Sequence, residues 1–178
     1  LILLQNMADS LEGLPEETRM YYQLLTIQAE GLQYIVHTDD SLITSLVQYY
    51  ETQGDECKKV QAYYLMGRVY IGMNDAPQAL KAFREALDIP SIGLEMKKRI
   101  YGDMALLFSN QGLADDAILI NRQLLDIYRK QGNQQGMAVS QRAIARMFEQ
   151  KAENDSAVYY YWEACHAALA AKDSAAYY

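Results

Sequence analysis

The chain has 178 residues, of which 51% are hydrophobic and 22% charged, so it is too apolar for a disordered chain and long enough for one domain of ordinary size. Its net charge of −7 argues against nucleic-acid binding, because phosphate backbones are bound by clusters of lysine and arginine. Its two cysteines and two histidines have no zinc-site spacing, and no apolar run approaches the ~20 residues that cross a bilayer.

The hydrophobic pattern predicts an all-α chain without strands, since leucine and alanine clearly outnumber valine, isoleucine and threonine. The predicted helices span 1–12, 15–36, 40–53, 56–73, 76–88, 92–111, 114–131, 134–151 and 154–171, and a further helix begins near 174. Short clusters of Gly, Asn, Asp and Ser separate them, as expected of turns and helix caps. Cys165 stands among Ala164, Ala167 and Ala168, which predicts a small core residue.

Three residue columns recur along the chain with a period of 38 to 40 residues. A small residue stands near the start of the second helix of each predicted pair: Ser41, Ala79, Ala117 and Ala157. Twelve residues earlier stands another small residue: Ala29, Gly67, Ala105 and Ala145. Three residues after that stands a large one: Leu32, Tyr70, Phe108 and Phe148. The columns predict antiparallel helical hairpins whose backbones approach closely at the small residues, and stacking such hairpins buries a continuous core.

The repeat divides one predicted domain, 1–178, into successive hairpins. The four complete repeats are expected at 15–54, 55–91, 92–132 and 133–172. Residues 1–14 are expected to be the second helix of an incomplete hairpin, and 173–178 to open a further repeat. This pattern predicts that both ends continue into a longer protein.

The second repeat resembles the tetratricopeptide repeat (TPR) family. The family pattern places, in order, an aromatic residue, Leu, Gly, Tyr, Ala, Phe and Ala at seven positions. In this repeat those positions hold Tyr63, Met66, Gly67, Tyr70, Ala79, Phe83 and Ala86. The later repeats depart from the pattern at Asn121, in the Phe column, and at Gln141, in the aromatic column. The resemblance implies a right-handed α-solenoid of stacked antiparallel hairpins. The period exceeds the family's 34 residues.

The long period and the tyrosine-rich helices also resemble extracytoplasmic, lipid-anchored TPR proteins of Gram-negative anaerobes. That resemblance implies a periplasmic or lipid-anchored location, with the cytoplasm as the alternative. It also implies that the repeats belong to a protein with further domains.

The family resemblance implies a non-enzymatic scaffold that binds a protein or peptide in a concave groove lined by the first helix of each hairpin. The groove residues that it implies most strongly are Tyr64, Arg68, Arg99, Asn110, Arg142 and Arg146. Arg142 and Arg146 share one helical face, and guanidinium groups pair bidentately with carboxylates, so an acidic peptide or a chain terminus is the expected partner. The lysine and asparagine positions of the family's carboxylate clamp are not matched.

A second hypothesis makes the chain the sensor or oligomerisation module of a membrane-tethered signalling or transcription-regulatory protein. A homo-oligomer is then a further partner class, while nucleic-acid binding and direct membrane insertion are not expected. An enzyme is not predicted, because phosphate loops and hydrolase or metal motifs are missing from the sequence. His37, Asp39 and Asp40 form its one base-and-acid cluster, and helix capping explains the two acids. No cofactor or metal is therefore expected.

Overall fold

A computed structural model describes residues 11, 13–33 and 35–171. Within these ranges the chain forms eight helices and no strand, which confirms the all-α prediction. The helices are α1 Glu16–Leu32, α2 Ser41–Gln53, α3 Glu56–Gly72, α4 Ala76–Leu87, α5 Leu94–Asn110, α6 Ala114–Lys130, α7 Gln134–Gln150 and α8 Asn154–Ala170. The helices predicted at 1–12 and from 174 lie outside the described residues.

The predicted helix ends agree with the structure to within two residues, except at the end of α1. That helix was predicted to reach 36 and ends at Leu32. The backbone N–H groups of Gln33 and Ile35 both donate to the Glu30 carbonyl, at 3.0 and 3.1 Å, and so close the helix. Ile35 and Val36, which are β-branched and favour extended backbone, then lead away from it.

The chain divides into two compact units, unit 1 at Leu1–Gly93 and unit 2 at Leu94–Tyr178. In unit 1, α2 packs on α3 and α3 packs on α4, while α1 contacts α2 and α3 less extensively. In unit 2, α5 packs on α6, α6 on α7, and α7 on α8. Each unit is therefore built from consecutive helices that pack on one another, as the repeat predicts.

Close contact at a small residue is clearest between α3 and α4. Gly67 is buried, and a Cβ atom there would lie 2.3 Å from Cε1 of Phe83, whose side chain is fully buried. In unit 2 the corresponding small residues are all buried: Ala105, Ala117, Ala145 and Ala157. The small-residue columns therefore mark core positions in the last three repeats.

The first repeat does not follow the columns. Leu32 is 77% exposed and Ser41 is also exposed, so the core positions predicted for them are wrong. The reason is that α1 ends at Leu32, with residues 33–40 between it and α2, and contacts α2 less extensively than α2 contacts α3.

Cys165 is exposed, which corrects its predicted core position. Ala164, Ala167 and Ala168 are buried because their spacing places them on one face of α8. Cys165 is turned by about 100° from Ala164 and therefore leaves that face.

Two tyrosine hydroxyls of α3 donate hydrogen bonds to carboxylates in or just before α2. The Tyr63 hydroxyl donates to the Glu51 carboxylate, and the Tyr70 hydroxyl donates to Oδ2 of Asp40 at 2.7 Å. Burial, reinforced by the Glu51 hydrogen bond, raises the pKa of Tyr63. The Asp40 hydrogen bond, together with burial, raises the pKa of Tyr70. Both bonds tie α3 to the preceding helix and require protonated tyrosines.

We expect the free energy of unfolding to fall as the pH rises above about 10, where tyrosines of the unfolded chain lose their protons. The raised pKa keeps Tyr63 protonated in the folded state, so its stabilisation is complete below that pH and is lost above it. Tyr63→Phe is expected to reduce this alkaline decline in urea-unfolding measurements, whereas Tyr159→Phe, at an exposed ring, leaves it unchanged. An alkaline decline of the same size in Tyr63→Phe would contradict this role.

Candidate functional site

The predicted groove residues of unit 1, Tyr64 and Arg68, lie one turn apart on α3. Nη1 of Arg68 donates to the Tyr64 hydroxyl at 3.4 Å, and the Tyr64 ring centroid lies 6.1 Å from that of Phe83. Both side chains are half-buried. They therefore form one local pair that rests against the α3–α4 hairpin.

The predicted groove residues of α7 form an exposed stripe in unit 2. Arg142 and Arg146 are both exposed and one helical turn apart. Val139, which is 52% exposed, and Glu149 extend the same face toward the two ends of the helix. We call Val139, Arg142, Arg146 and Glu149 the α7 stripe.

The acidic end of the α7 stripe is held by α8. The Tyr161 hydroxyl donates to Oε2 of Glu149 at 2.8 Å. Burial and this hydrogen bond raise the pKa of Tyr161, while the positive charges of Arg146 and Arg142 act in the opposite direction. The two arginines are therefore close enough for their charge to act on α8, and Glu149 already has a neutral partner.

Arg99 and Asn110 lie near opposite ends of α5, and both are exposed. They are eleven positions apart, which is about 16 Å along a helix, so they do not form one local site. Leu106, between them, is 60% exposed. The six predicted groove residues thus fall into an α3 pair, an α7 pair and two separate positions on α5.

Unit 2 also contains a cleft that the sequence did not predict. It lies among α6, α7 and α8 and has a volume of about 230 Å³. Its polar lining includes Arg122, Asp126, Arg129, Gln141 and Glu163. The available signal was Gln141 itself, because a glutamine there replaces the tyrosines found at positions 63 and 101 of the two preceding repeats.

The base-and-acid cluster before α2 has structural roles. Oδ1 of Asp39 accepts from the Ser41 backbone N–H and Oδ2 from the Ser41 hydroxyl, each at 2.8 Å, and these bonds lower the pKa of Asp39. Asp40 accepts from Tyr70, and Nε2 of His37 lies 3.5 Å from Oε2 of Glu30. Asp39 therefore caps the Ser41 N–H at the start of α2, whereas Asp40, at the N-cap position, makes no side-chain capping bond. Helix capping explains one of the two acids, and the Tyr70 hydrogen bond explains the other.

Comparisons with protein-family models, with curated proteins and with solved structures give no match for this chain. The likeness to the tetratricopeptide repeat therefore rests on the residue columns and on the packing of consecutive helices. In the described part of the chain, no helix combines the length and apolar character needed to cross a bilayer.

Proposed function

We propose that this chain is a right-handed TPR-like solenoid that binds an acidic peptide or protein segment without catalysis. The observation that carries the proposal is the α7 stripe. Its two exposed arginines share one face of α7, which is the first helix of the fourth predicted hairpin. Their exposure in a chain of net charge −7 makes them a local basic site on an otherwise acidic protein.

The chemistry of the α7 stripe suits a carboxylate-bearing ligand. Each guanidinium group can donate two parallel hydrogen bonds to a carboxylate, and charge-assisted bonds contribute about 1.5–3 kcal/mol each. Val139 lies about one turn before Arg142 and offers apolar surface to a neighbouring side chain of the peptide. Because Glu149 is engaged by Tyr161, it competes less for the arginines.

Arginines also occur at other predicted groove positions. The first helices α3, α5 and α7 each carry at least one arginine at a groove position that the family resemblance assigns, namely Arg68, Arg99, and the pair Arg142 and Arg146. Within unit 2, the arginines of α5 and α7 support an acidic ligand that contacts both of these helices.

A random-peptide display library provides the direct test, with the full chain immobilised as bait. We expect the selected peptides to be acidic, and their affinity to fall as the salt concentration rises, since the proposed contacts are ionic. Selection of neutral or basic peptides, or of none above an unrelated bait, would contradict the proposal.

The outer face of α8 favours the sensor or oligomerisation module as a second candidate. Val158, Trp162 and Leu169 are 67%, 57% and 49% exposed, and such a row of apolar side chains suits packing against another helix. Sedimentation velocity at several protein concentrations tests this candidate. Concentration-dependent association that Trp162→Glu abolishes would support it, and a monomer at all concentrations would count against it.

A further inference from the structure

Four positions on α8 follow the spacing of a coiled-coil seam. They are Val158, Trp162, Cys165 and Leu169, separated by four, three and four residues. All four side chains are exposed. Positions that recur about every 3.5 residues form one narrow line along a helix, and such a line fits a single partner helix. We call these four residues the α8 seam.

The α8 seam differs from the equivalent positions of α6, which lie 40 residues earlier in the chain. Those positions hold Ile118, Arg122, Leu125 and Arg129. The two arginines are exposed although α7 packs on α6. A further helix that packed on α8 in the same way would therefore leave Trp162 and Leu169 exposed. The apolar side chains at the two arginine positions thus indicate a partner other than the next helix of the repeat.

The spacing of the α8 seam is the same when it is read in either direction. An antiparallel second copy of α8 therefore brings Val158 opposite Leu169 and Trp162 opposite Cys165, and a two-fold axis repeats both pairs. Each pair sets a larger side chain against a smaller one, which lets the facing layers interdigitate. A parallel pair would instead bring the two Trp162 indoles face to face.

The charges of the chain also favour contact between copies at the α8 seam. Two copies with a net charge of −7 each repel one another, but none of the four seam positions is charged. Glu163 is the one acidic residue between Val158 and Leu169 in the sequence. Its Oε2 accepts a hydrogen bond from Nε2 of Gln141 at 3.2 Å, so it is engaged within its own chain. Antiparallel helices also place the positive end of each helix dipole beside the negative end of the other.

The Trp162 indole is held by its own helix. The His166 ring, one turn further along α8, has its centroid 3.9 Å from that of the indole. A side chain that is already restricted loses less conformational entropy on association. Tryptophan is also among the residues that contribute most to binding at interfaces. Trp162 is therefore the expected anchor of the seam.

We propose that this chain forms a two-fold dimer through antiparallel α8 helices, with Trp162 of one protomer packed against Cys165 of its partner. The proposal rests on the oligomerisation candidate above and specifies a second copy of the same chain as the partner. It does not depend on the α7 stripe, so a monomeric variant is expected to bind a selected acidic peptide as the wild type does.

Disulfide cross-linking between two variants of the full chain tests the antiparallel arrangement. Both variants carry Cys57→Ser and Cys165→Ala, and one adds Val158→Cys while the other adds Leu169→Cys. The proposed dimer places the two new cysteines opposite each other, whereas identical cysteines are eleven positions apart, about 16 Å along the helices and too far for a disulfide. After mixing and oxidation in a glutathione buffer, mass spectrometry is expected to show mainly the mixed cross-link.

Sedimentation velocity measures the contribution of the anchor. Trp162→Glu is expected to raise the dimer dissociation constant about tenfold or more, because the two-fold axis makes each substitution occur twice in the interface. Leu119→Glu is the matched control, since Leu119 is 56% exposed on α6 and lies outside the seam. This control is expected to dimerise as the wild type does.

Three results would overturn the proposal: a wild-type monomer at all concentrations, like cross-links as abundant as the mixed one, or equal losses in Trp162→Glu and Leu119→Glu. A monomer would also count against the oligomerisation candidate. A dimer with a different cross-linking pattern would contradict the antiparallel α8 contact alone. Neither result affects the acidic-peptide proposal, which the α7 stripe variants test separately.

Discussion

Replacing Gly67 with leucine is expected to lower the free energy of unfolding by about 3 kcal/mol, at the upper end of typical overpacking effects. A Cβ atom at this position would lie 2.3 Å from Cε1 and 2.6 Å from Cδ1 of Phe83, closer than van der Waals contact permits. The Phe83 ring is fully buried, so α3 and α4 must move apart to admit the new side chain. Urea unfolding at neutral pH measures the loss.

Gly102→Leu is the matched control, because Gly102 also lies within a helix but is exposed and a Cβ atom there meets nothing within 4 Å. Leucine has the higher helix propensity, so this variant is expected to gain up to about 1 kcal/mol. If Gly67→Leu were as stable as the wild type, the proposed contact between α3 and α4 would be wrong.

Reversing the charge of both Arg142 and Arg146 to glutamate is expected to weaken binding of a selected acidic peptide by a factor of about 100 or more. Two charge-assisted hydrogen-bonding groups are lost, at about 1.5–3 kcal/mol each, and the new carboxylates repel the ligand. Both side chains are exposed, so the melting temperature is expected to change little. Isothermal titration of the peptide into each protein gives the comparison.

Lys81→Glu with Arg84→Glu is the matched control, because these residues are also exposed and one turn apart, on α4. It changes the net charge of the chain by the same amount and is expected to retain most of the affinity. Equal losses in both double variants would show that net charge, rather than the α7 stripe, governs binding.

Local patterns were sufficient to predict the helices and the packing of consecutive helices on one another. The turn residues end five of the helices with a left-handed residue, at Gly54, Asn74, Gly112, Gly132 and Ala152. Four of these are Gly or Asn, which adopt that conformation readily and are visible in a sequence. The periodic small residues likewise mark the core, because a close helix contact excludes larger side chains.

The structure differs from the predicted core positions where a sequence pattern alone did not determine the tertiary contacts. Leu32 matches its column but is exposed because α1 stops there. Gly31 stands in the last turn, but the residue at the C-cap is Gln33 rather than a left-handed glycine, so the end was not evident from the sequence. Cys165 has buried neighbours in sequence but lies on another helical face.

Part of the candidate site was predictable because it depends only on residue spacing within one helix. The shared, exposed face of Arg142 and Arg146 follows from their four-residue spacing. The α6–α8 cleft did not follow, because it requires residues of three helices to converge, and Gln141 is the one cleft residue that departs from a repeat column. The partly buried hydrogen bond that Nε2 of Gln141 donates to Oε2 of Glu163 depends on side-chain positions that periodicity does not specify.

Nuclear Overhauser spectroscopy of the full chain tests the central claim, that consecutive helices pack on one another through small residues. The structure predicts cross-peaks from the Gly67 Hα protons to the Phe83 ring within one hairpin, and from the Gly136 Hα protons to the Tyr128 ring between successive hairpins. A Cβ atom at either glycine would lie 2.3 Å from the ring concerned. Both cross-peaks are expected to be strong, and the absence of either from a folded, fully assigned protein would contradict the account.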